Sequence, residues 1–333
     1  MQTGCIKAFW LISGKTYCFL RYMKVLLQFP EGLKSKAMEY AKKLENEGDE
    51  VFISASSSYG ACDLAIDEAK KINADKLIHF GHSEFMKVDF NVEYIEYPVS
   101  VSIDILKSSL GILQPFDKIG IVTTIQHVHM LDKIRKFFEE NNKEVIIGKP
   151  YGFAKYPGQI LGCDAGSAAS IDNMVDAHIF FGGGLFHPLG ALLATKKPFF
   201  SIDPFARKIE RLDEYREKYA KKSMGKILSA LHAKQFGILV STKNGQYNMN
   251  TAKEIKRMLS DNGFYSIILI TNTLDFDALN DFMDFDAFVN TMCPRIAIDD
   301  SERSRKPILS VKELEELLNI KKNIKNKEEK EIR

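Results

Sequence analysis

The sequence lacks any C-x-x-C pair. Its five cysteines, Cys5, Cys18, Cys62, Cys163 and Cys293, are odd in number and widely spaced. That excludes a secreted disulfide framework and a zinc ribbon, and points to a reducing compartment where cysteine serves as buried filler, metal ligand or nucleophile. Charge of one sign is also lacking: 46 Lys and Arg stand against 44 Asp and Glu, a net +2. No bulk electrostatic attraction to nucleic acid or to an anionic membrane follows, and no basic stripe with interleaved aromatics is present. Long apolar runs are missing. The best, residues 8–20, is interrupted by Gly14-Lys15 and lacks a small-residue cleavage site, so neither a membrane span nor a signal peptide is expected. The expected location is the cytoplasm. Walker, G-x-G-x-x-G, H-E-x-x-H and G-x-S-x-G motifs are all absent.

What the chain does have is a pattern. Short runs rich in Val, Ile and Phe alternate with amphipathic stretches, the signature of parallel sheets covered by helices. In a first block, strands are expected at 25–29, 51–54, 77–81 and 92–97, with helices at 34–47 and about 62–71. In a second, strands at 119–124, 144–148, 178–182 and 199–202 frame helices at 130–141 and from 166. In a third, strands at 236–242, 265–271, 287–291 and 308–310 follow the same order, with a helix at 251–261. The repeat is roughly 100 residues, a domain rather than a solenoid unit. The expected fold is therefore α/β: three similar domains, each a short, mainly parallel sheet flanked by helices, around a pseudo-threefold centre. The alternative is one large α/β domain with a small one appended. The expected boundaries are a loose extension over 1–22, repeats over 23–114, 115–218 and 219–315, and a charged tail over 316–333. Met23 is a candidate start, and the charged stretch 213–226 is a candidate linker.

Three cysteines fall at corresponding places. Tyr59-Gly60-Ala61-Cys62-Asp63 follows the second strand of block one, and Gly162-Cys163-Asp164 follows the second strand of block two. Met292-Cys293-Pro294-Arg295 follows the third strand of block three. Carboxyl ends of strands are where open α/β sheets place ligands. A helix start offers unpaired N–H groups that favour a thiolate. Convergence of the three sulfurs would leave one iron of a four-iron cluster without a protein ligand, a position for chemistry. The plain alternative for each cysteine is a small buried hydrophobe.

Other stretches carry weaker signals. Gly182, Gly183 and Gly184 precede Leu185-Phe186-His187 just past a strand, where backbone amides can meet a ligand or merely turn the chain. Lys243, Gly245 and Gln246 hold the matching place in block three, again as ligand contacts or a turn. Arg295 and Asp299 follow Cys293 as a charge cluster or a solvated loop. His79, His82, His127 and His129 read as solvent-facing or hydrogen-bonding side chains.

Taken in order, Gln28-Phe29-Pro30-Glu31-Gly32, Tyr59-Gly60-Ala61-Cys62-Asp63, His79-Phe80-Gly81-His82-Ser83, Gln159-Ile160-Leu161-Gly162-Cys163, residues 182–190, Lys243-Asn244-Gly245-Gln246 and Cys293-Pro294-Arg295 carry a resemblance. Over residues 24–315 the chain resembles the 2-(3-amino-3-carboxypropyl)histidine synthases of diphthamide biosynthesis, in their single-subunit archaeal form. The resemblance implies a [4Fe–4S] cluster on Cys62, Cys163 and Cys293, and S-adenosylmethionine as co-substrate. It implies that one electron cleaves the sulfur–Cγ bond, leaving methylthioadenosine and a 3-amino-3-carboxypropyl radical. That radical would add to C2 of a histidine in translation elongation factor 2. A homodimer and a protein reductant are implied as partners; nucleic acid and membrane are not. By motif match, Gly182, Gly183, Gly184, His187, Lys243, Gly245 and Gln246 would hold S-adenosylmethionine, with Arg295 and Asp299 near its charged end. The rival readings are a three-cysteine Lewis-acid dehydratase or condensing enzyme resembling quinolinate synthase, and a binding module whose cysteines only pack.

Overall fold

The computed structural model describes residues 7–12, 15–20 and 22–331. Cys5, and the side chain of Cys18, lie outside the described residues. The chain separates into two compact units, 1–97 and 98–333.

In the first unit, β1 (Lys7–Ile12) and β2 (Lys15–Leu20) pair as an antiparallel hairpin where the sequence suggests only a loose extension. β3 (Lys24–Gln28), α1 (Ala37–Asn46), β4 (Glu50–Ile53), α2 (Ile66–Lys71), β5 (Lys76–Phe80) and β6 (Val92–Ile95) follow. Their parallel sheet has the order β4-β3-β5-β6. β3 is apolar at successive positions because both its faces are covered: Val25 and Leu27 pack with Ala37 and Ala41 of α1, and Leu26 packs with Ile66 and Ala69 of α2.

The second unit begins with α3 (Ile105–Ser109), β7 (Lys118–Thr123), α4 (Leu131–Glu140), β8 (Glu144–Ile146), α5 (Gly166–Ala169), β9 (Ala177–Phe181), α6 (Phe186–Ala194), β10 (Phe199–Asp203) and β11 (Lys208–Arg211). The sheet order is β8-β7-β9-β10-β11, parallel except for β11. Next come α7 (Asp213–Ser229), β12 (Gln235–Ser241), α8 (Met249–Asp261), β13 (Tyr265–Thr271), α9 (Phe276–Asn280), β14 (Ala287–Asn290), β15 (Ile308–Leu309) and α10 (Val311–Glu331). Their sheet is β13-β12-β14-β15, all parallel. All three sheets therefore share one topology, in which the second strand of each flanks the first and the third and fourth follow on the other side. No helix among the described residues is long and apolar enough to cross a membrane.

Three expected boundaries move. Residues before 115 pack with the second sheet: Ile105, Leu106 and Leu113 are buried with Ile119, Ile121 and Ile134. The boundary at 218/219 falls inside α7, which is packed at both ends rather than being a bare linker. Near its start Arg216 Nη2 donates to the carbonyls of Leu192, Thr195 and Lys197, and near its end Ile227 is buried in the third sheet's core. A tail starting at 316 would cut α10, whose Leu314, Leu317 and Leu318 cover the third sheet. Amphipathic spacing sets helices well, but it does not tell which sheet a helix covers.

Candidate active site

Cys62 lies in a tight turn after β4, and α2 begins only at Ile66. Cys163 lies in a long connection after β8, and α5 has only four residues. Neither cysteine sits on a substantial helix start, so, contrary to expectation, no helix dipole favours these thiolates. Hydrogen bonds hold the loops instead. At Cys62, Asp63 N donates to Gly60 O at 2.9 Å, and Tyr59 N to the Asp63 carboxylate at 3.4 Å. At Cys163, the Asp164 carboxylate accepts from Phe153 N at 2.7 Å and Gly166 N at 3.0 Å. Leu161 N donates to Asp164 O at 2.8 Å, closing the turn over the cysteine. Cys293 follows β14 and precedes a π-helical turn, Ile296–Asp300.

Within the second unit these loops interlock. A Cβ on Gly162 would sit 2.1 Å from the Phe186 ring, and one on Gly190 would sit 2.6 Å from Gly162 O. Only glycine admits that approach. The Arg295 guanidinium lies 4.4 Å over the same Phe186 ring. Phe186, at the start of α6, thus joins the neighbour of Cys163 to a residue two beyond Cys293.

Arg295 is 4% exposed and forks onto the Asp299 carboxylate at 2.6 and 2.8 Å. Its Nη1 is buried with no hydrogen-bond partner among the described residues. Burial holds the Asp299 carboxyl above its ordinary value, even against this arginine.

The glycine stretch is less open than its composition suggests. Gly182 N donates to Ile202 O at 3.1 Å in the sheet ladder, and Gly184 N to the Asp203 carboxylate at 3.2 Å. A Cβ on Gly183 would lie 3.2 Å from the Phe205 ring. The turn is short, because Phe186 already opens α6. His187 lies in that first turn, its ring parallel to that of Phe180 with centroids 6.4 Å apart.

In the third sheet's loop, Lys243 and Gln246 are both 7% exposed. Lys243 Nζ donates to Asn272 Oδ1 at 3.3 Å, and Gln246 N closes a turn onto Lys243 O around Gly245. Asn248, two residues on from Gln246, donates to Thr291 O at 3.0 Å. The Lys243 loop is thereby tied to the approach to Cys293. Asp203 and Asn248 carry these arrangements without standing out in the sequence, and Phe186 stands out there only as part of the 182–190 stretch; a strand-end Asp before a turn is a cue for Asp203.

Of the histidines, His127 bonds Val99 O at 2.8 Å and His129 bonds Ser100 Oγ at 3.1 Å, as hydrogen-bonding side chains. His79 is fully buried, bonded to Gln28 Oε1 and His82 Nδ1. Burial first, and then His82, hold its pKa down to about 3. His178, fully buried, is also lowered by burial. Both are neutral in the fold and return to ordinary values near 6.5 on unfolding. Below that pH the unfolded chain binds protons that the folded chain refuses. Stability is therefore full above it and is lost as pH falls toward the folded values. The urea midpoint followed by circular dichroism is expected to be flat above about pH 7 and to fall between about pH 6 and 4. A His178→Asn variant should fall less steeply.

Thiols on hydrogen-bonded loops that follow parallel strands are the kind of donor an iron–sulfur cluster takes. No three His, Cys, Asp or Glu side chains among the described residues gather tightly enough to hold one metal ion. Residues 29–329 match the family model of diphthamide synthesis proteins. The chain belongs to the diphthamide synthesis protein family. The 2-(3-amino-3-carboxypropyl)histidine synthase of Pyrococcus horikoshii is 38% identical over 302 residues, 90% of this chain and 86% of that protein. The Methanocaldococcus jannaschii protein of the same name is 27% identical, covering 87% and 83%. Among solved structures, a crystal structure of Dph2 from Pyrococcus horikoshii is similar with a TM-score of 0.83 at 36% identity, over 90% of this chain and 86% of that one. A second, of Dph2 with a 4Fe-4S cluster, gives 0.82 at 37%, with the same coverage. Membership of this family sets aside the quinolinate-synthase-like and binding-module readings.

Proposed function

We propose that this chain catalyses the first step of diphthamide biosynthesis, moving a 3-amino-3-carboxypropyl group from S-adenosylmethionine to C2 of a histidine in translation elongation factor 2. Cys62, Cys163 and Cys293 would hold a [4Fe–4S] cluster. When bound, it supplies one electron to the sulfonium of S-adenosylmethionine. The observation that carries the reading is the Gly162–Phe186–Arg295 interlock, which draws two of the three cysteine loops together within one unit.

The remaining roles belong to the protein's own groups. Arg295, with two nitrogens committed to Asp299, has Nη1 for the amino-acid carboxylate of S-adenosylmethionine. Phe186 holds the guanidinium plane and keeps water from that face. Lys243 and Gln246, buried at the neighbouring loop, and His187 beside Phe186 would line the rest of the site with Gly182 to Gly184. Anaerobic incubation with reductant, elongation factor 2 and carboxyl-labelled S-adenosylmethionine tests the whole reading. Label on the factor supports it, and label confined to small molecules sinks it.

The partner that the same reading names, a second copy of the chain, has support in the strand edges. Natural sheets blunt their edges with charge or brevity. β4, β6 and β8 carry Glu50, Glu93 and Glu144, β11 carries Lys208, Glu210 and Arg211, and β15 has two residues. β13 has seven residues, Tyr-Ser-Ile-Ile-Leu-Ile-Thr, without a charge. Tyr265 N and Thr271 O bond toward β12, so alternation turns the backbone of Ser266, Ile268 and Ile270 outward. A charge lying on a two-fold axis meets its like, and β13 carries no charge to set against its copy. Antiparallel pairing about Ile268 would join each outward N–H to a C=O of the second copy. Ile270 is 60% exposed, so Ile270→Lys should leave the fold intact. It is expected to weaken self-association about tenfold in sedimentation equilibrium; an unchanged dimer would rule this edge out.

A further inference from the structure

We propose that the side-chain carboxamides of Gln28 and Asn290 are positioning residues, each clamping the backbone around one cysteine. The inference rests on the reading that Cys62 and Cys293 hold a cluster.

Gln28 is the last residue of β3 and is 2% exposed. Its Nε2 donates to Asp63 O at 2.7 Å, and its Oε1 accepts from Ala65 N at 3.1 Å. The residues gripped are the first and third after Cys62. Asn290 is the last residue of β14 and is 5% exposed. Its Nδ2 donates to Cys293 O at 2.9 Å, and its Oδ1 accepts from Met292 N at 3.1 Å. It brackets the cysteine itself.

The chemistry suits a carboxamide. Donating to a carbonyl while accepting from an amide a residue or two away needs a donor and an acceptor on one rigid plane. Carboxylates only accept, and Lys and Arg only donate. A carboxamide at the end of a buried strand is immobile, so it passes the rigidity of the sheet to a loop that has no helix of its own. His79 locks Gln28 in turn. An amide oxygen only accepts, so the 2.8 Å contact has His79 Nδ1–H as donor, and the carboxamide cannot flip. The Cys163 loop reaches the same end by another route, with the Asp164 carboxylate and Gln159 Oε1 accepting from backbone amides. Two of the three cysteine loops thus use the same device on unrelated stretches of sequence. A polar side chain this buried and this fully engaged would be an expensive way to shape a loop with no task.

The test uses Gln28→Met and Asn290→Leu, near-isosteres that remove both bonds without burying a charge. Each is reconstituted anaerobically beside wild type. Iron and sulfide per chain, the electron paramagnetic resonance of the reduced state, and the rate of iron loss to a chelator are then read, with circular dichroism to confirm folding. The expected result is folded variants that lose iron about tenfold faster and give broadened resonance lines. Folded variants that match wild type in all three overturn the clamp. On the wild type alone, hydrogen exchange gives a second test. The Ala65 and Met292 amides, though in loops, should be protected, and exchange at open-coil rates overturns the clamp. Wild type that takes up no iron at all overturns the cluster reading itself, a different result from wild type and variants loading alike.

Discussion

Replacing any one of Cys62, Cys163 or Cys293 with Ala is expected to remove the iron–sulfur cluster and to lower amino-carboxypropyl transfer about 100-fold or more, while Cys5→Ala and Cys18→Ala leave both intact. The difference rests on what thiolates do. Cluster irons are held by cysteine sulfur, and a loop that loses one of three such ligands cannot recruit a substitute when the nearby candidates are committed. Asp63 and Asp164 are bonded to backbone amides of their own loops. Neither hydrogen-bonding histidine of the first unit has sulfur's affinity for the cluster. The cost to the fold should be small, since Cys163 is exposed and the other two are only part-buried. Iron analysis, the visible absorption of the anaerobically purified variants and their melting temperatures separate loss of ligand from loss of structure. Any one variant that keeps full iron and activity removes that residue from the site.

Glu313→Ala should give the largest loss of stability. Lys226 Nζ lies 2.7 Å from Glu313 Oε1, with side chains 9% and 4% exposed. Burial pushes the Lys226 ammonium below its ordinary range in spite of that partner. Glu313 also accepts from Ser310 N at 2.7 Å and from the Ser223 hydroxyl. Removing it strands a buried cation, a backbone amide and a hydroxyl together. Breaking such a pair from one side costs about 3–5 kcal/mol, a melting-temperature drop on the order of 10 °C for a unit of this size. The double change Lys226→Met with Glu313→Leu should recover most of that, because no charge is left to desolvate. The effect reaches the site, since Lys226 Nζ also holds Ala297 O at 2.9 Å and Lys222 Nζ holds Ile298 O at 3.1 Å, both in the turn that follows Cys293. A Glu313→Ala protein melting within a degree or two of wild type would contradict this account of how α7 and α10 are joined.

Much of this architecture is legible in the sequence because parallel strands buried on both faces leave unbroken apolar runs. Val25 to Leu27, Ile119 to Val122 and Phe236 to Val240 are such runs, and each opens a sheet. The cysteines stand out for a related reason: Gly-x-Cys or Gly-Cys before Asp recurs after equivalent strands. The hidden parts depend on long-range partners. Nothing local marks Gln28 or Asn290 as more than polar strand ends, because the groups they grip lie in loops whose path only the fold sets. Asp203 occupies Gly184 N from a different strand, so a glycine run that reads as an open cradle is half committed. The glycine run reads as a turn into a helix, but the extent of α6 does not, since Pro188 interrupts the pattern in its first turn, where Pro is well tolerated. Lys226 and Glu313 are 87 residues apart, and a charged helix next to a charged tail gives no hint that one lysine and one glutamate are buried.

The most direct measurement is product analysis after the reduced protein meets S-adenosylmethionine with no acceptor present. Which carbon–sulfur bond breaks depends on how the co-substrate is oriented, the task proposed above for Arg295, Phe186 and the loops around them. Methylthioadenosine, formed by wild type and lost in the cysteine variants, is the predicted result. Release of 5′-deoxyadenosine in its place, or an intact co-substrate beside a fully loaded and reduced protein, would contradict it.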